Sequence, residues 1–409
     1  MKQKGALLTV FTAVLIDLMG FGIVLPLLPF YASAFHASAV AIGLLYSIYS
    51  FAQLIFAPVW GGLSDRIGRR PIMLMSTLGA SFAYVLFGLA HALWLLFVSR
   101  LIAGVMGGNI STAQAYVADV TTPEERAKGM GLIGAAFGIG FVMGPAIASL
   151  LIHPAFLKLF RIADPSKYSI PGFFAAFLSF VSFLLVLFKL PETVKRSEED
   201  SGRIVKSSIF AKQFWQSIFA EKKSGIKYLF ALFMGSIFLY SFAQSSLYSS
   251  FSLFCKFQFG LTAEKVGMLF AYMGLIAILI QGGLIRVLVK KFREESLFFA
   301  GSILMSMGFV LIPVVHSMNF LILDLSLMSV GGSLMGPTLN SLISKEAGPD
   351  KVGRTMGTAQ GLAALGRVIG PTWGGFLYGL SHPLPFFVTG AILSLTILAG
   401  WTCRRSLPQ

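Results

Sequence analysis

The sequence predicts an all-α integral membrane protein with twelve transmembrane helices in two pseudo-symmetric halves of six. Composition, the length of the apolar stretches and an internal repeat support this prediction. The 409 residues are 56% hydrophobic and 12% charged, whereas roughly 25% of the residues in an ordinary soluble domain are charged. A soluble chain of this length could not bury so much apolar surface in one core, but lipid can cover the outside of a membrane protein.

Twelve apolar stretches are long enough to cross a bilayer, since a transmembrane helix needs about 20 such residues. They lack the alternation of barrel strands, and no small-residue cleavage site follows the first one, so we expect that helix to be retained. The stretches run over 7–31, 39–60, 71–90, 93–117, 128–152, 171–188, 228–254, 264–288, 296–315, 319–343, 353–379 and 384–402.

The net charge of +15 is explained by membrane topology rather than by a nucleic-acid partner. If both termini are cytoplasmic, 25 of the 32 Lys and Arg residues fall on the cytoplasmic side, while Arg100 and Arg367 lie within helices. This is the positive-inside bias of a multi-pass protein, and a bacterial inner membrane is the expected location. The five external basic residues are Lys158, Arg161, Lys167, Lys256 and Lys265. Cys255 and Cys403 fall at opposite faces and are not expected to form a disulfide.

An internal repeat divides the chain into related halves. Pro123, Gly131, Gly140 and Gly144-Pro145 recur 226 residues later as Pro349, Gly357, Gly366 and Gly370-Pro371. We therefore predict an N-terminal half at 1–188, a cytoplasmic linker at 189–227 and a C-terminal half at 228–409. Whether residues 204–219 of the linker form an interfacial helix or no helix is left open. Parallel six-helix repeats are a recurrent transporter plan with a substrate site between the halves.

The charged segment Gly61–Pro71 is predicted to be a short turn between the second and third helices. We expect Gly62 and Gly68 to permit close backbone approach and Asp65 to face a helix N-terminus. The arginines, Arg66 and Arg69 among them, are predicted to pair with Asp119 at the inner end of helix four. A solvated basic turn is the alternative.

This segment has the pattern G-x-L-x-D-R-x-G-R-R and resembles the loop signature of the major facilitator superfamily. Gly140-x-x-x-Gly144-Pro145 and the Asp17-x-x-Gly20-x-Gly22 run of helix one resemble the drug:proton antiporter branch, most closely the tetracycline/proton antiporters. The resemblance implies proton-coupled export of a small amphiphilic molecule by alternating access. Neither an enzyme activity, a cofactor nor a metal site is implied, and the transporter is expected to be a monomer in the lipid bilayer. The resemblance also implies that the region around Asp65 acts as a conformational gate.

Two substitutions argue against tetracycline as the substrate. Tetracycline antiporters have aspartates where this chain has Ala83 and, by approximate alignment, Met305. The resemblance therefore favours proton-driven export without identifying the cargo. An importer of a small metabolite on the same fold is the first alternative, and a non-transporting membrane receptor is the second.

Asp17, near the middle of helix one, is the candidate proton-coupling residue. An ionised carboxylate at that depth costs at least ~2.5–3.5 kcal/mol unless it is paired or hydrated. Burial favours its protonated form and a nearby arginine favours its ionised form, so Arg100 is expected to tune it. A purely structural Asp17–Arg100 ion pair is the alternative.

Polar residues on the spans are candidates for the substrate cavity, because an amide that faces lipid would lack hydrogen-bond partners. For Arg367, conformational packing and substrate contact remain open. Asp324 lies near the start of the tenth span, where interfacial hydration is the favoured explanation. The cavity candidates are Gln53, Asn109, Gln244, Gln281, Asn340 and Arg367.

Overall fold

The computed structural model describes residues 2–159, 167–193, 224–347 and 352–406, and every regular element in these ranges is helical. Eleven helices within them are long and apolar enough to cross a membrane. The remaining predicted span, 353–379, is present as the 29-residue helix Val352–Leu380. That helix is long enough to cross as well, but its many glycines and Arg367 make it less apolar. The predicted all-helical membrane fold is confirmed.

The helices up to residue 189 begin and end close to the predicted positions. The fourth span, predicted over 93–117, runs from Leu93 to Val120 and contains a 3-10 turn at Gly107–Asn109. The helices are α1 (Lys2–Ala34), α2 (Ala39–Ile67), α3 (Arg69–Gly88), α4 (Leu93–Met106), α5 (Ile110–Val120), α6 (Pro123–Leu151), α7 (Pro154–Leu159) and α8 (Ser169–Lys189).

The helices after residue 223 include one span with a π-helical turn, Ile280–Leu284, which contains Gly282 and Gly283. A 3-10 turn at Ile312–Val314 ends another. The helices are α9 (Ser224–Phe259), α10 (Ala263–Leu279), α11 (Ile285–Lys291), α12 (Glu294–Leu311), α13 (Met318–Ala347), α14 (Val352–Leu380), α15 (Leu384–Leu393) and α16 (Leu395–Ser406).

Helix starts follow local sequence signals. The Ser38 side chain accepts a hydrogen bond from the Ala41 backbone N–H at the start of α2. Thr122 does the same for Glu125 at the start of α6, with Pro123 in the first turn. Serine and threonine stabilise a helix start in this way because its first N–H groups have no partner within the helix.

The predicted turn at Gly61–Pro71 is wrong in its extent. Helix α2 continues to Ile67 and α3 begins at Arg69, so Gly68 alone separates the two helices. Gly68 has φ +108°, a conformation that glycine adopts readily and other residues avoid. The charged motif is therefore carried on two helix ends rather than on a loop.

The chain packs as two units. The first comprises Met1–Ile204 with Cys255–Gly274, and the second comprises Val205–Phe254 with Leu275–Gln409. Most of the predicted linker, including the possible interfacial helix at 204–219, lies outside the described residues. The division into halves at 189–227 therefore stays a prediction.

The core of the first unit is built around α1. Its buried residues pack with apolar residues of α3, α5, α6 and α8. They are Ala6, Val10, Ala13, Val14 and Leu18 of α1, Met73 of α3, Ala113, Tyr116 and Val117 of α5, Ile133 and Ala136 of α6, and Val186 with Leu190 at the end of α8. This packing fixes the helix that carries Asp17.

Candidate functional site: helix junction and intramembrane charges

Arg69 is the centre of a polar network at the α2–α3 junction. Its guanidinium forms ion pairs with Asp65 and with Asp119, the latter at 3.0 Å, and donates to Ser64 Oγ at 2.7 Å. The arginine side chain is only 10% exposed. The pairing with Asp119 agrees with the sequence prediction. Arg66, by contrast, is exposed in the last turn of α2.

Glu192, just after α8, completes this network and was not predicted. Its two carboxylate oxygens accept hydrogen bonds from the backbone N–H groups of Arg69 and Arg70 at 3.0 and 3.1 Å. These groups belong to the first turn of α3, where a carboxylate is favoured by the helix dipole. The role expected of Asp65 is thus filled by Glu192, whereas Asp65 pairs with Arg69.

The two glycines of the motif differ in their surroundings. A Cβ added to Gly68 would collide with the carboxylate of Glu192, so Gly68 allows a close approach, but by a side chain rather than by backbone. Nothing lies within 4 Å of a Cβ built on Gly62. The prediction of close backbone approach at Gly62 is wrong, because that residue lies on an exposed face of α2.

Asp17 precedes a close contact between α1 and α6. A Cβ on Gly144 would lie 2.6 Å from Gly22 Cα, and one on Gly140 would lie 2.7 Å from Leu18 Cβ. Gly140, Gly144 and Pro145 of α6 thus receive the segment of α1 that begins directly after Asp17. Small residues allow such close backbone approach within membranes.

The structural ion pair between Asp17 and Arg100, which was the alternative to proton coupling, is absent. Asp17 is partly exposed and forms no ion pair or hydrogen bond with any described residue. Tyr84 occupies the intervening space. Its hydroxyl oxygen would be 2.6 Å from a Cβ on Gly20, one turn after Asp17, and its ring lies 5.5 Å from the Arg100 guanidinium carbon.

Arg100 is held by aromatic rings. It is 1% exposed, and its guanidinium carbon lies 5.1 Å from the centre of the Phe87 ring as well as close to Tyr84. Its Nε atom has no hydrogen-bond partner among the described residues. Because arginine stays protonated in proteins, this is a buried positive charge stabilised by cation–π contacts.

The cavity candidates of the first unit lie at the break in the fourth span. Gln53 donates to the carbonyl oxygen of Gly107 at 2.9 Å. Asn109 is 3% exposed, and its side-chain oxygen has no partner in the described part of the chain. The structure thus brings these two candidates to the same 3-10 turn.

Two candidates of the second unit meet at Tyr248. Gln244 shares a hydrogen bond with Tyr248, and the charge of Arg367 acts on the same hydroxyl. Asn340 instead donates to Gly336 O at 3.1 Å within its own helix. Gln281 is exposed in the π-helical turn. Only Gln244 and Arg367 are therefore brought together by Tyr248.

The repeated glycine–proline motif packs differently in the second unit. Gly366 and Gly370 of α14 lie against α9, where a Cβ on Gly366 would be 2.7 Å from Phe238 O. Ser245 of α9 donates to Gly366 O at 3.2 Å and Ser249 donates to Pro371 O at 2.8 Å. Described residues of α1 and α6 form no such side-chain hydrogen bond.

The expectation of interfacial hydration at Asp324 is wrong. Asp324 is 4% exposed, and neither carboxylate oxygen has a hydrogen-bond partner among the described residues. It lies near the start of α13, which packs along α12. Lateral packing against the neighbouring helix, rather than depth along the span, determines its burial.

The described residues contain no group of His, Cys, Asp and Glu side chains arranged to hold a metal ion. Cys255 and Cys403 are buried and free. Ala83 and Met305, which stand where tetracycline antiporters have aspartates, are 0% and 3% exposed. Both positions are therefore occupied by apolar packing.

The functional residues missed by sequence reasoning had weak signals. Glu192 is an acidic residue directly after the sixth span, in a region where the chain is otherwise rich in basic residues. Tyr84 and Phe87 are three residues apart on the same helix and resemble ordinary residues of the third span. Only the fold brings them to Arg100.

Comparison with known proteins decides the family. The model of the Major Facilitator Superfamily matches residues 10–371 and 284–407. The chain belongs to the major facilitator superfamily. The tetracycline resistance protein of class B from Escherichia coli is 29% identical over 402 residues, which cover 94% of this chain and 94% of that protein. Multidrug resistance protein 2 from Bacillus subtilis (strain 168) is 28% identical, with 99% and 97% covered.

Solved structures of this superfamily share the fold. The crystal structure of the human organic anion transporter MFSD10 (TETRAN) has a TM-score of 0.67 at 25% identity and covers 97% of this chain and 99% of that one. A bacterial homolog of the human lysosomal transporter Spinster has a TM-score of 0.77 at 12% identity, with 100% and 99% covered. The resemblance to the superfamily and to tetracycline resistance proteins is thereby confirmed.

Proposed function

We propose that this transporter exports a small amphiphilic molecule in exchange for protons by alternating access. The observation that carries the proposal is the carboxylate of Asp17, which lies inside a membrane span without an ion pair or hydrogen bond to any described residue. Such a group is costly to place in a membrane, so its presence there points to a function. The similarity to drug-resistance proteins supports export.

Asp17 is suited to couple protonation to movement because of its position beside the α1–α6 contact. Gly22 and Gly144 pack without side-chain hydrogen bonds between the described residues of these two helices. A change in the charge of Asp17 changes the cost of exposing that part of α1 to water or to apolar surroundings. Arg100, held beyond Tyr84, is a fixed positive charge on a neighbouring helix.

The proposed cargo is neutral, zwitterionic or anionic rather than a simple cation. Arg100 is buried among aromatic rings, and Arg367 lies at Tyr248 beside Gln244. Arg367, Gln244, Gln53, Asn109, Gln281 and Asn340 are the proposed cavity residues. The replacement of two family aspartates by Ala83 and Met305 disfavours a metal–tetracycline complex.

Everted membrane vesicles from a host that overproduces the protein would test the direction of coupling. With the vesicle interior made acidic, an antiporter accumulates its substrate, and dissipating the pH gradient abolishes the accumulation. The substrate would first be found with a panel of drugs and metabolites in an efflux-deficient host. Accumulation driven by the opposite gradient would indicate an importer, which is the second candidate, and would overturn the proposal.

The α2–α3 junction is the proposed conformational gate, with Gly62, Asp65, Arg66, Gly68, Arg69 and Asp119 as its residues. We expect Asp65→Asn to slow turnover several-fold while the range of exported compounds stays the same, because the change weakens the ion pair with Arg69 and touches no cavity candidate. Initial export rates measured for several compounds would check this. A changed substrate range at normal turnover would contradict the gate.

The proposal also includes an orientation. Both termini and the α2–α3 junction are placed in the cytoplasm, and the protein is placed in a bacterial inner membrane as a monomer. The distribution of Lys and Arg along the sequence supports this topology.

A further inference from the structure

A cavity of about 760 Å³ lies in the first unit, away from Asp17 and from the gate. Helix α1 runs from Lys2 to Ala34 and α2 returns to Ile67, so Phe30 in the cavity wall and Gly68 lie at opposite ends of the unit. The cavity falls within the ~300–1,000 Å³ of small-molecule sites. Neither the transport proposal nor the gate involves it.

Three lysines line this cavity: Lys158, Lys167 and Lys256. Glu264, which also lines it, faces His153, with 3.4 Å between the carboxylate oxygen and the ring nitrogen. Among the described residues that line the cavity, three lysines and one glutamate leave an excess of positive charge. An anion would therefore be attracted to this end of the unit.

Aromatic rings supply an apolar wall beside these charges. Lys256 Nζ lies 5.8 Å from the centre of the Phe30 ring, and Lys167 Nζ lies 5.3 Å from that of Tyr168. Tyr168 in turn packs on Tyr31, with ring centres 5.5 Å apart. Cation–π contacts of this kind hold the ammonium groups at the wall, so charge and apolar surface are presented side by side.

The lysines are exceptions to the charge distribution of the chain. In the proposed orientation only five basic residues are external, and three of them line this one cavity. The positive-inside bias gives no reason to place lysines at the external side. Their concentration at a single cavity therefore requires a local explanation.

We propose that this cavity binds an amphiphilic anion, with Lys158, Lys167 and Lys256 at its charged group and Phe30 and Tyr168 against its apolar part. A free organic sulfonate or carboxylate and the headgroup of an anionic lipid share this chemistry. The site goes beyond the proposed function, since it makes no use of Asp17 and its occupation needs no proton movement.

Equilibrium dialysis tests the site with the full-length protein in nanodiscs of phosphatidylcholine. The probe is 2-naphthalenesulfonate, and 2-naphthalenemethanol is its uncharged counterpart. The combined change Lys158→Gln with Lys256→Gln should weaken sulfonate binding about tenfold, since each lysine near the bound charge contributes. Lys265→Gln is the matched control, because Lys265 is also external and exposed but does not line the cavity.

The controls separate this site from the transport mechanism. Asp17→Asn should bind the sulfonate as the unaltered protein does, whether or not the variant moves protons. Equal binding of the uncharged probe, or equal loss of binding in Lys265→Gln, would overturn the proposal. Unchanged binding in the double lysine variant would overturn it as well.

Nanodiscs that contain phosphatidylglycerol distinguish the two sources of ligand. The site takes a lipid headgroup if phosphatidylglycerol lowers sulfonate binding to the unaltered protein. In that case the lipid should not lower the weak sulfonate binding that remains in the double lysine variant. If sulfonate binding is the same in both lipids, the site takes a free amphiphilic anion. Both results support the site and assign its natural ligand class.

Discussion

The α2–α3 junction of the first unit and the start of α12 in the second unit carry ion pairs with reversed charges. In the first unit, Arg69 at the start of α3 pairs with Asp119 at the end of α5. In the second unit, Glu294 at the start of α12 pairs with Lys345 near the end of α13 at 2.9 Å. Lys345 stands 226 residues after Asp119, which is the offset of the repeat, and Glu294 is within one position of the counterpart of Arg69.

The two pairs differ in burial and in the number of partners. Arg69 is 10% exposed and also contacts Asp65 and Ser64, whereas Lys345 is 65% exposed. Removing one partner of a buried charge network is costly, because the remaining charges lose their compensation. An exposed single pair contributes little. Both halves of the repeat thus have an ion pair at this place, but among the described residues the pair of the first unit is the more buried and has the additional partners.

Arg69→Gln should give the largest effect. We expect it to lower the free energy of unfolding by about 2–3 kcal/mol. This loss is smaller than that for breaking a fully buried ion pair, because Asp119 is partly exposed. Thermal unfolding in detergent, followed by a thiol-reactive dye, would measure it, since both cysteines are buried and free. Arg66→Gln removes the same charge from an exposed site on α2 and should change stability by at most ~0.5 kcal/mol. Equal losses in the two variants would contradict the special role of Arg69.

Gly68→Ala should give the second-largest loss of stability. The change places a Cβ at a positive φ and against the Glu192 carboxylate, which we expect to cost about 1–3 kcal/mol. Gly62→Ala is the opposite case, because the added Cβ meets open space within a helix. This change should stabilise the protein by about 0.5–1 kcal/mol. The same dye assay compares them. Stabilisation by Gly68→Ala would show that the junction is not held in this conformation.

Glu294→Gln should have the smallest effect. The loss of its pair with the exposed Lys345 should lower the free energy of unfolding by less than ~1 kcal/mol. Export rates should stay close to those of the unaltered protein. If this variant were as damaging as Arg69→Gln, the two ends of the repeat would be equivalent and the comparison would fail.

The sequence predicts the limits of the spans to within seven residues, with the largest difference at the end of α2, because long apolar stretches can only be helices in lipid. It predicts that the arginines of the 61–71 segment pair with Asp119, and Arg69 does so. The extent of the turn at 61–71 was wrong because the charged residues continue α2 up to Ile67. A single positive-φ glycine is enough to reverse the chain there.

The missed contacts depend on packing between distant segments. Glu192 lies more than 120 residues from Arg69, and nothing in the local pattern links them. Tyr84 separates Asp17 from Arg100 because Gly20 leaves room for its hydroxyl. Hydration of Asp324 was predicted from its depth in the span, but its exposure depends on which face of α13 packs on α12. Linear position does not determine that rotation.

The central claim is that Asp17 is the group that couples protons to export. Its matched control is Asp324→Asn, which removes a buried carboxylate of the second unit without touching the α1–α6 contact. Both variants would be reconstituted in proteoliposomes, and proton movement would be recorded with a pH-sensitive dye when substrate is added.

The account predicts that Asp17→Asn abolishes substrate-induced proton movement while substrate still binds, and that Asp324→Asn retains it. Proton movement at the unaltered rate in Asp17→Asn would contradict the claim.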